Sequence, residues 1–286
     1  MNEDDFPSLY LDANRVSIET QSRFTFSTKV VVIASLTTGF IGNMSTSKVA
    51  IIAQIVCALA VLTSACYLLF GKPQRIWYAT RALAESIKTI SWRYATRADP
   101  FNGDDTQASI KFRTSVAEFL RANSEASALR FDSTHTHLIT KKMNDLRDSK
   151  LDKRKHDYLK FRIDDQLRWY RNKSKWNDKR SRFWYSALII FSLLALIISL
   201  LRIDYEVPIQ VDWIFSVPIA VLTWVQVKRY QELASSYSLT AHEIVFAKNE
   251  IAQLDDEEKN FSDFVGNTEN AFSREHTQWY ARKDLN

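Results

Sequence analysis

Residues 49–70 read VAIIAQIVCALAVLTSACYLLF, 22 residues without a charge. A helix needs ~20 apolar residues to cross ~30 Å of hydrocarbon, so this stretch predicts a transmembrane span. Residues 183–201 add a second uncharged run of 19, centred on Leu188-Ile189-Ile190-Phe191 and Ala195-Leu196-Ile197-Ile198. Two weaker runs accompany them. Residues 30–47 are uncharged but carry Thr37, Thr38, Gly39, Gly42 and Asn43, and residues 207–227 are strongly apolar only after Asp212. One span in each half would leave the two ends of that half on opposite sides of the membrane. Each weak run is also joined to a strong one by a short polar link, 44–48 or 202–206. The expectation is an all-α membrane protein with two transmembrane helical hairpins and long cytoplasmic helical extensions.

Flanking charge sets the orientation. Arg23 and Lys29 precede the first span, and Lys72, Arg75 and Arg81 follow the second. Arg171, Lys173, Lys175, Lys179, Arg180 and Arg182 precede the third, and Lys228 and Arg229 follow the fourth, whereas the hairpin tips hold only Lys48 and Arg202. Both termini and the central segment are therefore expected on the cytoplasmic side. Trp184, Tyr185, Trp213 and Trp224 stand where interfacial aromatics belong. The first 20 residues carry Glu3, Asp4, Asp5, Asp12 and Glu19, which is no signal peptide.

Composition narrows the chemistry. Only five Gly and five Pro in 286 residues leave little room for strand-rich folds or Gly-rich phosphate loops. Cys57 and Cys66 both lie inside the first strong run and read as packing residues. No dinucleotide or phosphate-loop motif, nucleophile elbow or zinc-protease motif occurs, so the chain does not read as an enzyme, and no cofactor or metal is expected. His135 and His137 lack a third ligand, and His276 lies on an apolar helical stripe.

Outside the spans, residues 71–182 hold 26 Lys and Arg against 14 Asp and Glu, an excess of +12, while residues 228–286 hold 7 against 11, a net −4. Ile76, Leu83, Ile87, Ile90 and Tyr94 recur at helical spacing until Asp99-Pro100, where the residue before proline avoids the helical region. Phe112, Val116, Phe119, Leu120 and Asn123 mark a second amphipathic helix. Residues 134–182 contain neither Pro nor Gly and predict one long basic helix of ~70 Å running straight into the third span. Ala241, Ile244, Val245 and Ile251, then Phe261, Phe264, Val265, Thr268 and Phe272, predict two helices in the tail.

The order of amphipathic helix, hairpin and continuing helix occurs twice, which suggests a duplicated unit. Gln21-Ser22-Arg23-Phe24 and Gln166-Leu167-Arg168-Trp169-Tyr170 precede the two hairpins, and Ala84-Glu85 and His242-Glu243 follow them. The segment Trp77-Tyr78-Ala79-Thr80-Arg81-Ala82-Leu83-Ala84-Glu85-Ser86-Ile87-Lys88, with Trp92-Arg93-Tyr94 and Asp99-Pro100-Phe101, resembles the post-hairpin signature of the SLATT superfamily of two-transmembrane effector domains. Tyr158, Arg162, Asp165-Gln166, Trp169-Tyr170, Lys173, Glu275-His276 and Trp279 resemble a sister subfamily. Two SLATT-like units are thus expected. The first covers 1–130, with a hairpin at about 30–70 and cytoplasmic helices over 74–130. The second covers 131–286, with the basic helix 134–182, a hairpin at about 183–227 and C-terminal helices over 228–282.

The resemblance implies a membrane effector of bacterial anti-phage (abortive infection) defence that opens a pore in the inner membrane. The tandem form is similar to effectors of Hailong-type systems. There the functional partner is a nucleotidyltransferase, and the controlling ligand is a short single-stranded DNA. For phosphate the basic segment offers Lys141, Lys142, Arg147, Lys150, Lys153, Arg154, Arg168 and Arg171. Three uses of this charge stay open: an anionic nucleotide or single-stranded DNA, the acidic tail of the same chain, or a merely solvated face. Membrane lipid headgroups serve the residues nearest the third span, at ~1 kcal/mol each. Ser35, Thr37, Thr38, Asn43 and Gln54 are candidate pore-lining residues, with bonding back to their own helix as the alternative. Four spans are too few to enclose a wide aqueous path, so a channel entails a homo-oligomer, taken as a tetramer. The rival reading is a non-conducting, membrane-anchored scaffold that recruits a protein partner.

Overall fold

The computed structural model describes residues 1–44, 47–123, 125, 137–204 and 212–281, with side chains described as far as Phe272. Ten α-helices follow in order: α1 Ser8–Met44, α2 Lys48–Gly71, α3 Pro73–Ala95, α4 Asp105–Ala122, α5 Lys141–Arg147, α6 Leu151–Tyr158, α7 Asp164–Asp204, α8 Ser216–Lys228, α9 Tyr230–Ile251 and α10 Glu258–Ala281. No strand occurs among the described residues. Residues 45–46 and 205–206 of the hairpin tips, the 130/131 boundary, His135 and the side chains of Glu275, His276 and Trp279 lie outside them.

Among the described residues, three helical stretches are long and apolar enough to cross a membrane: Ser8–Asn43, Lys48–Gly71 and Leu151–Ile203. The fourth run begins outside the described residues and continues as a 3₁₀ turn, Asp212–Phe215, followed by α8. At 2.0 and 1.5 Å per residue these two pieces together rise about 27 Å.

The chain divides into two compact units. One comprises residues 1–22, 73–170 and 239–286, the other residues 23–72 and 171–238. The second unit turns its apolar side chains outward. Val49 and Phe70 are 76% and 77% exposed, and Ile52, Leu62, Ile189 and Leu196 are exposed as well. So much apolar surface is a lipid-facing surface rather than a water-facing one. Ala50, Ala195, Val221 and Val225 are among its few buried apolar residues, and the Trp184 and Trp224 rings meet at 6.3 Å.

The first unit is built in the opposite sense. Its core runs from Phe6 against Trp92 (6.4 Å between rings), through Trp92 against Tyr158 (5.7 Å), to Tyr158 against Phe261 (6.2 Å). α3 supplies Leu83, Ile87, Ile90, Trp92 and Tyr94, α4 supplies Phe112 and Val116, and α10 supplies Phe261, Phe264, Val265 and Phe272, all buried. These are the stripes expected at three- and four-residue spacing. α3 stops at Ala95, ahead of Pro100. Arg97 takes a left-handed conformation at φ 60°, with Ala98 N–H donating to Arg93 O (2.9 Å) and Arg97 N–H to Tyr94 O (3.2 Å). That paired bonding closes the helix in the manner usually left to glycine.

The single long helix expected over 134–182 is not formed, and this corrects the sequence reading. α5 ends at Arg147, α6 begins at Leu151, and a π turn, Leu159–Ile163, joins α6 to α7. The continuous part ahead of Arg182 is therefore about 48 Å rather than ~70 Å at 1.5 Å per residue. The break has a local cause. Arg97 Nε donates to Arg147 O (2.9 Å) and Arg154 Nε to Ser149 O (3.1 Å), so two arginines satisfy carbonyls that an unbroken helix would use itself. The π turn adds one residue and shifts the inward stripe. Arg154 and Tyr158 are buried before it, Arg162 and Ile163 within it, and Leu167 and Tyr170 after it.

Candidate functional site: a basic cleft at the start of the last helix

The arginines of the basic segment divide sharply. Arg147 is 1% exposed and makes four hydrogen bonds: to Asp105 Oδ1 (2.8 Å), Tyr94 O (2.9 Å), Phe101 O (2.8 Å) and Gly103 O (3.1 Å). It ties the 96–104 loop to α3 and offers nothing to a phosphate, contrary to the sequence reading. Asp105 answers in kind: its hydrogen bond from Arg147, helped by Arg97, holds its carboxyl below the usual carboxylate range. Arg162 is likewise withdrawn. Its Nε and an Nη reach Glu269 at 2.8 and 2.7 Å, Tyr158 donates to the same carboxylate at 2.9 Å, and all three groups are buried. Burial alone would lower the Arg162 pKa, but the Glu269 charge outweighs it and holds the guanidinium above its ordinary range. The Tyr158 hydroxyl is pushed well up by burial and then by Glu269.

Arg154 is buried too, but one edge of it is turned outward. Nε and one Nη are fixed by Ser149 O and by Thr96 O (3.0 Å), while the other Nη bonds the Glu258 carboxylate. Here lies an open cleft of about 440 Å³ lined by Arg97, Asn102, Arg154, Glu258, Lys259 and Ser262. Three elements bring these residues together. The 96–104 loop is held by Asp99 N–H donating to Ser262 Oγ (3.0 Å), α6 carries Arg154, and the first turn of α10 carries Glu258 and Lys259. Arg97 is paired with Asp105 (3.1 Å) and Asp148 (3.7 Å) and Arg154 with Glu258, so the positive balance of the cleft rests on Lys259. The start of α10 adds the N–H groups and positive dipole end that favour anions. The volume is of the size that small-molecule sites occupy.

Of the other residues read from sequence, Lys141, Lys142, Lys150, Lys153, Arg168 and Arg171 are exposed. They do not converge on the cleft. Lys155, a further cation of the basic segment, is held by the α9–α10 loop through Leu254 O (3.3 Å), Asp255 O (2.8 Å) and Asp256 Oδ1 (2.6 Å). Part of the positive excess is thus met by the acidic tail of the same chain. Arg97, Asn102, Lys259 and Ser262 escaped the sequence reading because they come from distant segments. The one signal that could have found them is the acidic run 255–258 facing a basic segment.

In the second unit, Thr37, Thr38 and Asn43 bond back to Ile33 O (2.8 Å), Ala34 O (2.8 Å) and Gly39 O (3.1 Å). Ser35 is exposed and Gln54 half-buried. A Cβ at Gly42 would lie 2.7 Å from Gln54 Nε2, so the glycine lets that amide lie close against α1. Among the described residues no His, Cys, Asp and Glu cluster is placed to hold a metal ion.

Residues 7–155 match the family model described as SMODS and SLOG-associating 2TM effector domain 3, and residues 158–279 that described as SMODS and SLOG-associating 2TM effector domain 1. No curated protein and no solved structure matches. The description gives each domain two transmembrane segments, in keeping with the paired apolar runs. The chain therefore belongs to the SLATT family, as two 2TM effector domains in tandem.

Proposed function

We propose that this chain is the channel-forming effector of a bacterial anti-phage defence system. A nucleotide or short single-stranded oligonucleotide, made by a partner nucleotidyltransferase, controls it. The observation that carries this reading is the joining, in one chain, of two effector hairpins with an open cleft lined by Arg97, Arg154 and Lys259. The protein sits in the inner membrane with both termini in the cytoplasm, as a homo-oligomer, with a tetramer as the working stoichiometry. Ser35, Thr37, Thr38, Asn43 and Gln54 line the conducting path, with Thr37, Thr38 and Asn43 keeping their bonds back to α1. Ligand control requires that the ligand bind the open and closed arrangements unequally.

Planar-bilayer recording of the purified protein tests the reading. The expected outcome is a conductance that changes on adding a short single-stranded DNA and that shifts in Asn43→Leu and Gln54→Leu. A silent bilayer with and without ligand would end it in favour of the scaffold.

A further inference from the structure

The cleft already contains an anion, and the chain itself supplies it. Arg154 is 3% exposed along its side chain, whereas its partner Glu258 is 60% exposed. The guanidinium is fixed from behind by two backbone carbonyls, Ser149 O and Thr96 O, so its remaining Nη points where Glu258 reaches it. A rigid, buried guanidinium presenting one edge to an open, cationic cleft is the arrangement that receives a phosphate oxygen. A carboxylate oxygen is the closest protein equivalent. Arg97, itself paired with Asp105 and Asp148, and Lys259 flank the position, and Glu258 is the carboxylate set between Arg154 and Lys259 in the lining.

Glu258 closes an acidic run, Asp255-Asp256-Glu257-Glu258, that links α9 to α10. Lys155 grips the same run through two carbonyls and the Asp256 carboxylate. The run is therefore held at two adjacent cations, both on α6. Its carboxylates are solvent-exposed, with Asp256 80% and Glu258 60% exposed along their side chains, so both holds compete with water and salt.

We infer that the 255–258 loop is a built-in competitor, in which Glu258 occupies the position of a phosphate of the single-stranded nucleic acid ligand. Phosphate and Glu258 cannot hold the outward edge of Arg154 together. Binding exchanges one for the other, leaving the phosphate on Arg154 and Lys259 with Arg97, Asn102 and Ser262 at the rim. Two mutually exclusive occupancies result: loop seated, or strand seated. This rests on the proposed control by a nucleic acid, and it adds where the strand binds and what it displaces.

Detergent-solubilised full-length protein, titrated with a labelled short single-stranded DNA, tests the exchange. Glu258→Gln keeps the shape, removes the competing charge and should bind about tenfold tighter. Lys259→Glu should bind about tenfold weaker, the worth of a charge-assisted hydrogen bond. Its slope of log K against log salt should be shallower by ~0.7, one phosphate contact fewer. The double variant Lys141→Glu, Lys142→Glu, outside the cleft, should match wild type. Hydrogen exchange in the 252–257 segment should rise when DNA binds.

Unchanged or weaker binding by Glu258→Gln, with wild-type thermal stability, overturns the exchange. So does a loss confined to the Lys141, Lys142 double variant, because the strand then lies on the exposed lysines. In either case the proposed channel function stands as long as wild type binds DNA. Wild-type protein that binds no DNA at all removes both.

Discussion

At the scale of single residues, buried arginines organise the first unit, and each has a different partner. Arg147 is tied mainly to backbone, Arg154 to backbone and an exposed carboxylate, and Arg162 to a buried one. Removing one partner of the Arg162–Glu269 pair would leave a charge uncompensated, so the informative change is the gentler one at Tyr158. Tyr158→Phe removes a hydrogen bond to a charged acceptor but leaves the bidentate pair. It should cost about 1.5–3 kcal/mol at neutral pH, read from thermal unfolding. The same residue shapes the alkaline limb. Its folded pKa lies above that of the unfolded chain, so above ~pH 10 the unfolded state gives up this proton first and stability falls as pH rises. In Tyr158→Phe that part of the alkaline loss should be missing. An equal slope in both proteins would show that the hydroxyl is not the group concerned.

At the scale of elements, the decisive features are the interruption at 148–150 and the π turn at 159–163. Each residue of an α-helix turns the face by about 100°. Deleting Lys160 would restore a plain α-helix and rotate Arg154 and Tyr158 away from the core if Ile163, Leu167 and Tyr170 stay in place. The expected result is faster proteolysis within residues 141–170 than in wild type, and a deletion variant as resistant as wild type would refute the register account. These features also mark what the sequence could convey. The spans at 49–70 and 183–201 were legible from length alone, and the α3, α4 and α10 stripes from spacing, because burial of one helix face imposes a local period. The interruption was not legible. No Gly or Pro stands there, and the bonds that replace the helix come from Arg97 and Arg154, one of them some 50 residues away. Arg147 and Arg154 read as surface cations because an isolated charge is costly to bury, and only the assembled carbonyls and carboxylates reverse that cost. The cleft inherits the difficulty, since Arg97, Arg154 and Lys259 share no sequence neighbourhood.

At the scale of the whole molecule, the compact units do not coincide with the family domains. The first unit draws on residues 7–22 and 73–155 of the first domain and on 158–170 and 239–279 of the second. α3 of the first packs on α10 of the second, with Arg93 donating to Gly266 O (2.9 Å) and Asn270 Oδ1 (2.7 Å). Neither domain can complete that core alone. Residues 1–156 and 157–286, expressed separately, should each aggregate after extraction, whereas co-expression should yield one monodisperse complex by size-exclusion chromatography. A stable, monodisperse single half would contradict the shared core.

The pairing of α3 with α10 also sets a clock on synthesis. Arg93 and Gly266 are separated by 173 residues, so at ~5–20 residues per second the partner of α3 leaves the ribosome roughly 10–35 s after α3 itself. Within that interval both runs of the second hairpin must be made. A chain that ends between the second hairpin and α10 therefore carries both hairpins beside a core still missing its closing helix. Only a finished polypeptide can bury the α3 stripe against α10 and so close the core that the two effector domains share.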